Sequence, residues 1–384
     1  MYRIGKEEIA AVARVIESKQ IFKVGGLNEV FNFENELCEK IGAEKAIMMT
    51  SGKASLISAL IGMGIGPGDQ VIVPGYTYIA SAMAIVAVGA IPVIAEIDDT
   101  LTIDIKDIEK KITSHTKAII PVHIQGFPCN MDAICALAKK HNLFVLEDAC
   151  QADGGSYHGK RLATIGDAGA FSFNFFKIVS AGEGGALVTD NREIFERAYI
   201  YHDSSAIAFF GNQLDGVGTV PFCGVQYRAN EVSAAIMREQ LKKMDDIIAD
   251  LRANKKTVMD ALAADFAFAP SNDIKGDCGT TLTFKFDTID EAAKFEEYIG
   301  GTRPINTGKH VYSHWTPILE KRGALHPLMD PFKMEANKDI IPEYSKDMCP
   351  KTLDILSKNV YVSVNPDWTK EDMEKLVAKC KAFK

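Results

Sequence analysis

A chain of 384 residues, 47% hydrophobic and 24% charged, holds too much apolar material for a disordered chain and is long enough for one large domain plus a smaller one. Its formal net charge of −8 excludes the broad basic face that tracks a phosphate backbone, so nucleic acid is not expected as a partner. The eight cysteines are scattered and never take the C-x-x-C spacing of a structural zinc site; with no cleavable signal pattern at the N-terminus, they point to a reduced, cytoplasmic setting.

A helix is expected over Lys6–Ser18. Short apolar runs then alternate with helix-period segments, giving expected strands at Ala46–Met49, Val71–Pro74, Val93–Ile97, Ala118–Val122, Phe144–Asp148, Ala170–Phe173 and Ala186–Thr189. The runs are continuously apolar rather than alternating, as in strands covered by helices on both faces, so the fold class is α/β with a mostly parallel sheet. The stretch from Gln70 to Ala95 carries no charge and is long enough to suggest a membrane span. Pro74, Gly75, Gly89 and Pro92 cut it into a strand, a helix around Ile79–Val88 and another strand, which predicts a buried core unit and no membrane partner. Met131–His141 reads as a helix with Asn130 as its cap and basic residues at its end. A charged helical pattern from Glu231 to Asp265 leads out of the large domain. The remainder is α+β: strands Thr280–Phe286 and Val360–Val364, helices Glu291–Tyr298 and Lys370–Lys381.

Four local features carry chemistry when taken in order. Thr50-Ser51-Gly52-Lys53 follows a strand and opens a helix, where free N–H groups and a glycine make a phosphate site; a serine-capped turn accounts for it equally well. Glu147-Asp148-Ala149-Cys150-Gln151 ends a very apolar strand, and a buried acid there needs a cation or hydrogen-bond donors. A protonated pyridine nitrogen is one such partner; capping of the next loop is the alternative. Phe171-Ser172-Phe173-Asn174-Phe175-Phe176-Lys177 brings a lysine beside aromatic and apolar neighbours, and partial burial favours the neutral amine that attacks a carbonyl. Gly182-Glu183-Gly184-Gly185 supplies a tight turn before the next strand.

Together with Val73-Pro74-Gly75-Tyr76-Thr77-Tyr78, Pro121-Val122-His123-Ile124-Gln125-Gly126 and Tyr227-Arg228-Ala229-Asn230-Glu231, this order resembles the DegT/DnrJ/EryC1 family of sugar aminotransferases. The resemblance implies a fold-type I enzyme dependent on pyridoxal 5'-phosphate (PLP), with a large mixed-sheet domain over 1–240 and a smaller α+β domain over 241–384. It implies that Lys177 carries the cofactor as a Schiff base and moves the proton, and that Asp148 faces the pyridine nitrogen. Gln151 would lie near the phenolic oxygen and Tyr78 on the ring, with Ser51, Gly52, Lys53 and Ser172 at the phosphate. Two positions depart from the family pattern: Lys53 stands where a threonine is usual, and Gln226 stands where an asparagine reaches the neighbouring subunit's phosphate. Arg228 is read either as a contact to an acidic substrate or as a structural ion pair.

The resemblance also implies a homodimer, glutamate or glutamine as donor, and a keto- or aldehydo-sugar as acceptor. Sugar dehydratases similar to the family replace the lysine with histidine, so Lys177 argues for transamination. A non-catalytic scaffold would be expected to lose Asp148, Gln151, Ser172 or Lys177, and all four are present. The acceptor is expected to be set by the loop His202–Phe222 and the region His310–Trp315. Ile207–Asn212 offers no evident diphosphate clamp, so an acceptor without a nucleotide stands beside a nucleotide-linked keto-sugar; the region resembles that of transaminases acting on a free eight-carbon keto-acid sugar of lipopolysaccharide biosynthesis, which implies 3,8-dideoxy-8-oxo-manno-octulosonate as that acceptor. His123, His158, His202, His310 and His314 are the candidate polar groups for it.

Overall fold

A computed structural model of the chain describes residues 3–23, 27–204 and 218–383. Helices α1 (Lys6–Ser18) and α2 (Glu29–Ile41) precede strand β1 (Lys45–Met49) and helix α3 (Gly52–Gly62). The charge-free stretch is β2 (Gln70–Pro74), α4 (Ala80–Ala87) and β3 (Ile91–Ala95), buried core as its punctuation required. Next come α5 (Ile105–Lys111), β4 (Thr116–Ile119), α6 (Met131–His141) and β5 (Phe144–Asp148). A small hairpin, β6 (Ser156–Tyr157) with β7 (Lys160–Arg161), leads to β8 (Ala168–Ser172), β9 (Gly185–Thr189) and α7 (Arg192–His202). The expected cap of α6 is present: the Asn130 side chain accepts from Ala133 N.

All seven expected strands lie in one sheet ordered β1-β9-β8-β5-β4-β2-β3. Strand β9 runs antiparallel to both β1 and β8, and the other neighbours pair in parallel. Alternation sends Ile47 and Met49 into one apolar cluster and Ala46 and Met48 into the other, so each face has its own helical cover. Each fully buried aliphatic side chain of this kind contributes roughly 1.5–3 kcal/mol. Among the described residues no helix is long and apolar enough to cross a membrane.

Helix α8 (Glu231–Leu262) is 32 residues long, a rod of about 48 Å at 1.5 Å per residue. It runs unbroken past residue 240 and leads from the large sheet to a three-stranded antiparallel sheet of β10 (Ala267–Phe268), β11 (Thr281–Lys285) and β12 (Asn359–Ser363). Helices α9 (Ile289–Ile299), α10 (Thr316–Leu319), α11 (Pro350–Lys358) and α12 (Lys370–Lys381) complete the chain. The segment between α9 and α11 turns back onto the large domain. Tyr312, Trp315 and Ile318 belong to the same apolar cluster as Ile47 and Val73, and Tyr344 Oη donates to Pro92 O at 2.7 Å. This return places residues 307–315 over the chain that leaves β2.

Candidate active site

The C-terminal ends of β1, β8 and β5 and the start of α3 meet at one edge of the sheet. Met49 and Ser172 both pair with Gly185, one from each side, which fixes the register of the three strand ends. Ser51 caps α3 by accepting from Ala54 N at 3.1 Å. A methyl at Gly52 would fall 2.7 Å from Cys150 Sγ and 2.8 Å from Ser172 Cβ, so glycine brings the helix N-terminus against both neighbouring strand ends. One at Gly185 would fall 2.4 Å from the Ser51 carbonyl carbon. The free N–H groups of α3 and the Ser172 side chain thus lie together, as an anion site requires. Lys53, the second residue of α3, is exposed and makes no ion pair among the described residues.

Asp148 ends β5 and is 4% exposed. Its Oδ2 accepts from Ser81 Oγ at 2.6 Å and its Oδ1 from Cys150 N at 3.1 Å. The capping reading of this acid therefore holds, and its remaining lone pairs leave room for a further donor. Ser81 also accepts from Thr77 Oγ1 at 2.8 Å, which ties Asp148 to the turn carrying Tyr78. The Tyr78 ring is 43% exposed and lies 5.3 Å from the His310 ring. Gln151 Oε1 accepts from Gln125 N at 3.1 Å, leaving the Gln151 amide group to donate outward. Gln125 itself holds a left-handed φ of 50° and donates through Nε2 to Tyr76 Oη.

Lys177 closes a turn in which its N–H donates to Asn174 O at 3.1 Å. The glycine turn clamps that loop at its base. Phe173 N donates to Gly184 O, Phe175 N donates to Gly182 O, and Gly184 takes a φ of 151° that a side chain would resist. Lys177 is half-buried and its Nζ makes no hydrogen bond or ion pair among the described residues. Its aromatic neighbours in sequence do not supply that burial, because Phe175 and Phe176 face solvent. Lys177 is felt by the surrounding groups: its charge acts on Cys150, Asp153 and His310. Burial first, then the Lys177 ammonium, holds the His310 ring below its ordinary pKa against the Thr307 carbonyl, so at neutral pH the ring is uncharged.

Of the five candidate histidines, His310 reaches this edge. His123 is wholly buried: Cys129 N donates to its Nδ1 at 3.1 Å, so the ring proton sits on Nε2 and goes to Glu147 at 3.0 Å. His158 pairs with Asp132 beside the hairpin, His202 is buried against Tyr199 O, and His314 lies exposed against Gly308 O. Arg228 is a structural ion pair, with Nη1 2.5 Å from Oδ1 of the buried Asp203. Gln226 is exposed, and its side chain makes no hydrogen bond among the described residues. Residues 205–217, which include the apolar stretch 207–212, lie outside the described residues.

Two residues of the candidate site escaped the sequence reading in their roles. Ser81, bonded to Asp148, stands in a stretch read only as apolar core, where a hydroxyl at a helix start was the available signal. Gln125, bonded to Gln151, lay inside a quoted motif without a function.

A helix N-terminus for an anion, a carboxylate with spare lone pairs for a protonated ring nitrogen, and an unpartnered lysine for an aldehyde make up a donor set that fits pyridoxal phosphate. In class this is an α/β fold with a PLP-type site at the C-terminal edge of its sheet. Residues 2–284 match the model of the DegT/DnrJ/EryC1/StrS aminotransferase family, and the chain belongs to that family. It is 40% identical over 249 residues to the spore coat polysaccharide biosynthesis protein SpsC of Bacillus subtilis, covering 64% of this chain and 63% of that protein. It is 39% identical over 249 residues to the GDP-perosamine synthase of Escherichia coli O157:H7, covering 65% and 66%. The chain therefore spans just under two thirds of the length of these relatives. The crystal structure of an aminotransferase from Psychrobacter cryohalolentis is similar over 99% of this chain and 97% of that one, with a TM-score of 0.80 at 28% identity.

Proposed function

We propose that the chain is a PLP-dependent aminotransferase that moves an amino group from glutamate to a nucleotide-linked keto-sugar, with Lys177 as the residue that bonds the cofactor. The observation that carries this reading is the half-buried Lys177 amine, without an ion-pair partner among the described residues, on the loop after β8 at the sheet edge that also holds Asp148 and the start of α3. When bound, the cofactor supplies an electron sink for the carbon that loses its proton. Everything else is the work of this chain's residues.

Asp148, fixed by Ser81 and Cys150 N, would hold a proton on the ring nitrogen through its remaining lone pairs. The N–H groups at the start of α3 would bind the phosphate together with Ser51, Gly52 and Ser172, and exposed Lys53 would add a charge beside it. Tyr78 would cover one face of the ring, and the Gln151 amide would donate to the phenolic oxygen. The free Lys177 amine would move the proton off and onto carbon as base and then acid. The His310 ring, tilted at 53° to the Tyr78 ring with centroids 5.3 Å apart, would line the side from which a substrate enters.

The relatives support the acceptor: the printed name of the Escherichia coli protein contains a GDP-linked amino sugar. The eight-carbon keto-acid sugar of lipopolysaccharide biosynthesis draws no support from them and serves as the comparison acceptor. The exposed Gln226 suits a contact to a second copy of the chain, so we read the enzyme as a cytoplasmic homodimer whose domains divide at 240–241. The test is to supply purified protein and PLP with glutamate and, in parallel, GDP-linked, dTDP-linked and free keto-sugars, and to follow 2-oxoglutarate. Turnover with a nucleotide-linked acceptor is the expected result. Turnover with the octulosonate alone would replace the acceptor, and failure of both glutamate and glutamine to donate would end the assignment.

A further inference from the structure

A cavity of about 460 Å³ opens between the C-terminal half of α8 and the loop that enters β11, a size suited to a small molecule. Its apolar wall is Met259 from the helix, Ile274 and Gly279 from the loop, and the aliphatic stems of the cations around them. Ile274 is 56% exposed, an apolar side chain that a ligand would cover. Among the described residues, four cations and two acids line the cavity. Two of the cations are neutralised, Lys255 by the buried Asp277 at 2.7 Å and Lys256 by Asp260 at 2.5 Å. Arg252 and Lys275 make no ion pair among the described residues. Arg252 donates through Nε to Asp277 O at 2.6 Å and through Nη2 to Gly276 O at 2.9 Å, which leaves Nη1 to offer outward. The cavity therefore joins an apolar wall to two uncompensated positive charges.

The same loop is tied to the candidate active site. Gly279 lies directly on α8, since a methyl there would fall 2.7 Å from Arg252 N. On either side of it, Cys278 N donates to Gly126 O at 3.1 Å and Thr280 Oγ1 donates to Gln125 O at 2.5 Å. Gln125 N in turn donates to Gln151 Oε1 at 3.1 Å. Hydrogen bonds thus run without a gap from the cavity wall to Gln151. We propose that the cavity binds a small organic monocarboxylate with an aliphatic body, and that its occupation stiffens the Gln125–Gly126 turn behind Gln151. The planar guanidinium of Arg252 suits a carboxylate, Lys275 adds a charge from the loop, and the aliphatic body lies over Met259 and Ile274. A ligand held by both walls fastens the loop to the helix, and the loop carries that restraint to Gln125. The effect on the cofactor rests on the reading of Gln151 as its neighbour; the binding and the stiffening do not.

The probe is hexanoate, titrated by calorimetry into the full-length protein in the presence of PLP, with hexanamide and inorganic phosphate in parallel. One hexanoate per chain is expected, and hexanamide, which lacks the charge, should bind about tenfold more weakly. Lys275→Glu alters an exposed side chain outside the candidate active site and should weaken hexanoate about tenfold. Hydrogen–deuterium exchange read by mass spectrometry should slow on hexanoate at residues 274–281 and at 122–128 together. Equal affinity for hexanoate and hexanamide, binding of phosphate alone, or a hexanoate affinity unmoved by Lys275→Glu would overturn the site. Protection confined to residues 274–281 would overturn the coupling. Protection of both segments in a protein that never transaminates would uphold this proposal and count against the enzymatic reading alone.

Discussion

Strand β5 ends in two adjacent buried acids that face opposite sides of the sheet, and their surroundings could hardly differ more. Glu147 is fully buried and accepts four hydrogen bonds, from His123 Nε2 and from the N–H groups of Ala163, Ile165 and Gly166. Its capacity is used, and what it does is pin the loop that enters β8. Asp148 accepts two, from Ser81 and Cys150 N, and keeps room for a third partner. Asp153, five residues on, accepts none at its carboxyl oxygens among the described residues. Across these three acids the degree of satisfaction separates structure from function: a saturated carboxylate has nothing left to offer a ligand, whereas a half-satisfied one is held in place and still able to bind.

That contrast breaks first at Glu147. Glu147→Ala strands three backbone N–H groups and a histidine, and should cost about 4 kcal/mol of stability, seen in denaturant unfolding, with kcat per folded molecule unchanged. Asp148→Asn should do the reverse, lowering kcat about 100-fold while the unfolding midpoint moves little. If both variants lost stability and activity together, the division between the two acids would fail. Gly52→Ala sharpens the account of the phosphate end. Its methyl must displace Cys150 and Ser172, so about 2 kcal/mol of stability and a weaker hold on the cofactor are expected by thermal melting and dialysis.

The smallest effect lies away from the site. Burial pushes the Glu29 carboxyl up, but Arg14 and Arg238 outweigh it and hold its pKa below the ordinary 4.5. Its stabilisation is therefore present above that value and lost as the pH falls through the depressed one. Glu29→Gln should be less stable than wild type at neutral pH, and the gap should close on acidification; a gap independent of pH would show that the charge contributes nothing.

Much of this was legible in the chain. Most large-sheet strands were marked by an unbroken apolar run, because burial on both faces leaves no alternation to confuse with a helix; β4 is the exception, since it spans Thr116–Ile119 with Lys117 exposed where the apolar run pointed to Ala118–Val122. The site's backbone positions were readable too, since Ser51-Gly52, Asp148 and the glycine turn each stand at a strand end. Helices α2 and α7 were passed over, and the return of residues 302–349 onto the large domain was not foreseen. That return depends on contacts such as Tyr312 with Gly75 and Asn337 with Gly89 that join residues more than two hundred positions apart. Pairwise meetings of that kind leave no local period. The same holds for His310 against Tyr78. Composition misled once: the phenylalanines before Lys177 suggested an apolar shell, yet Phe176 is 83% exposed.

The central claim is that Lys177 is the residue that bonds the cofactor. The direct measurement is borohydride reduction of the purified protein in the presence of PLP, followed by peptide mass spectrometry of wild type and Lys177→Ala. The account predicts a pyridoxyl mass on the peptide containing Lys177 in wild type and no stoichiometric adduct in the variant. An adduct of equal yield on another lysine, or transamination retained by Lys177→Ala, would contradict it.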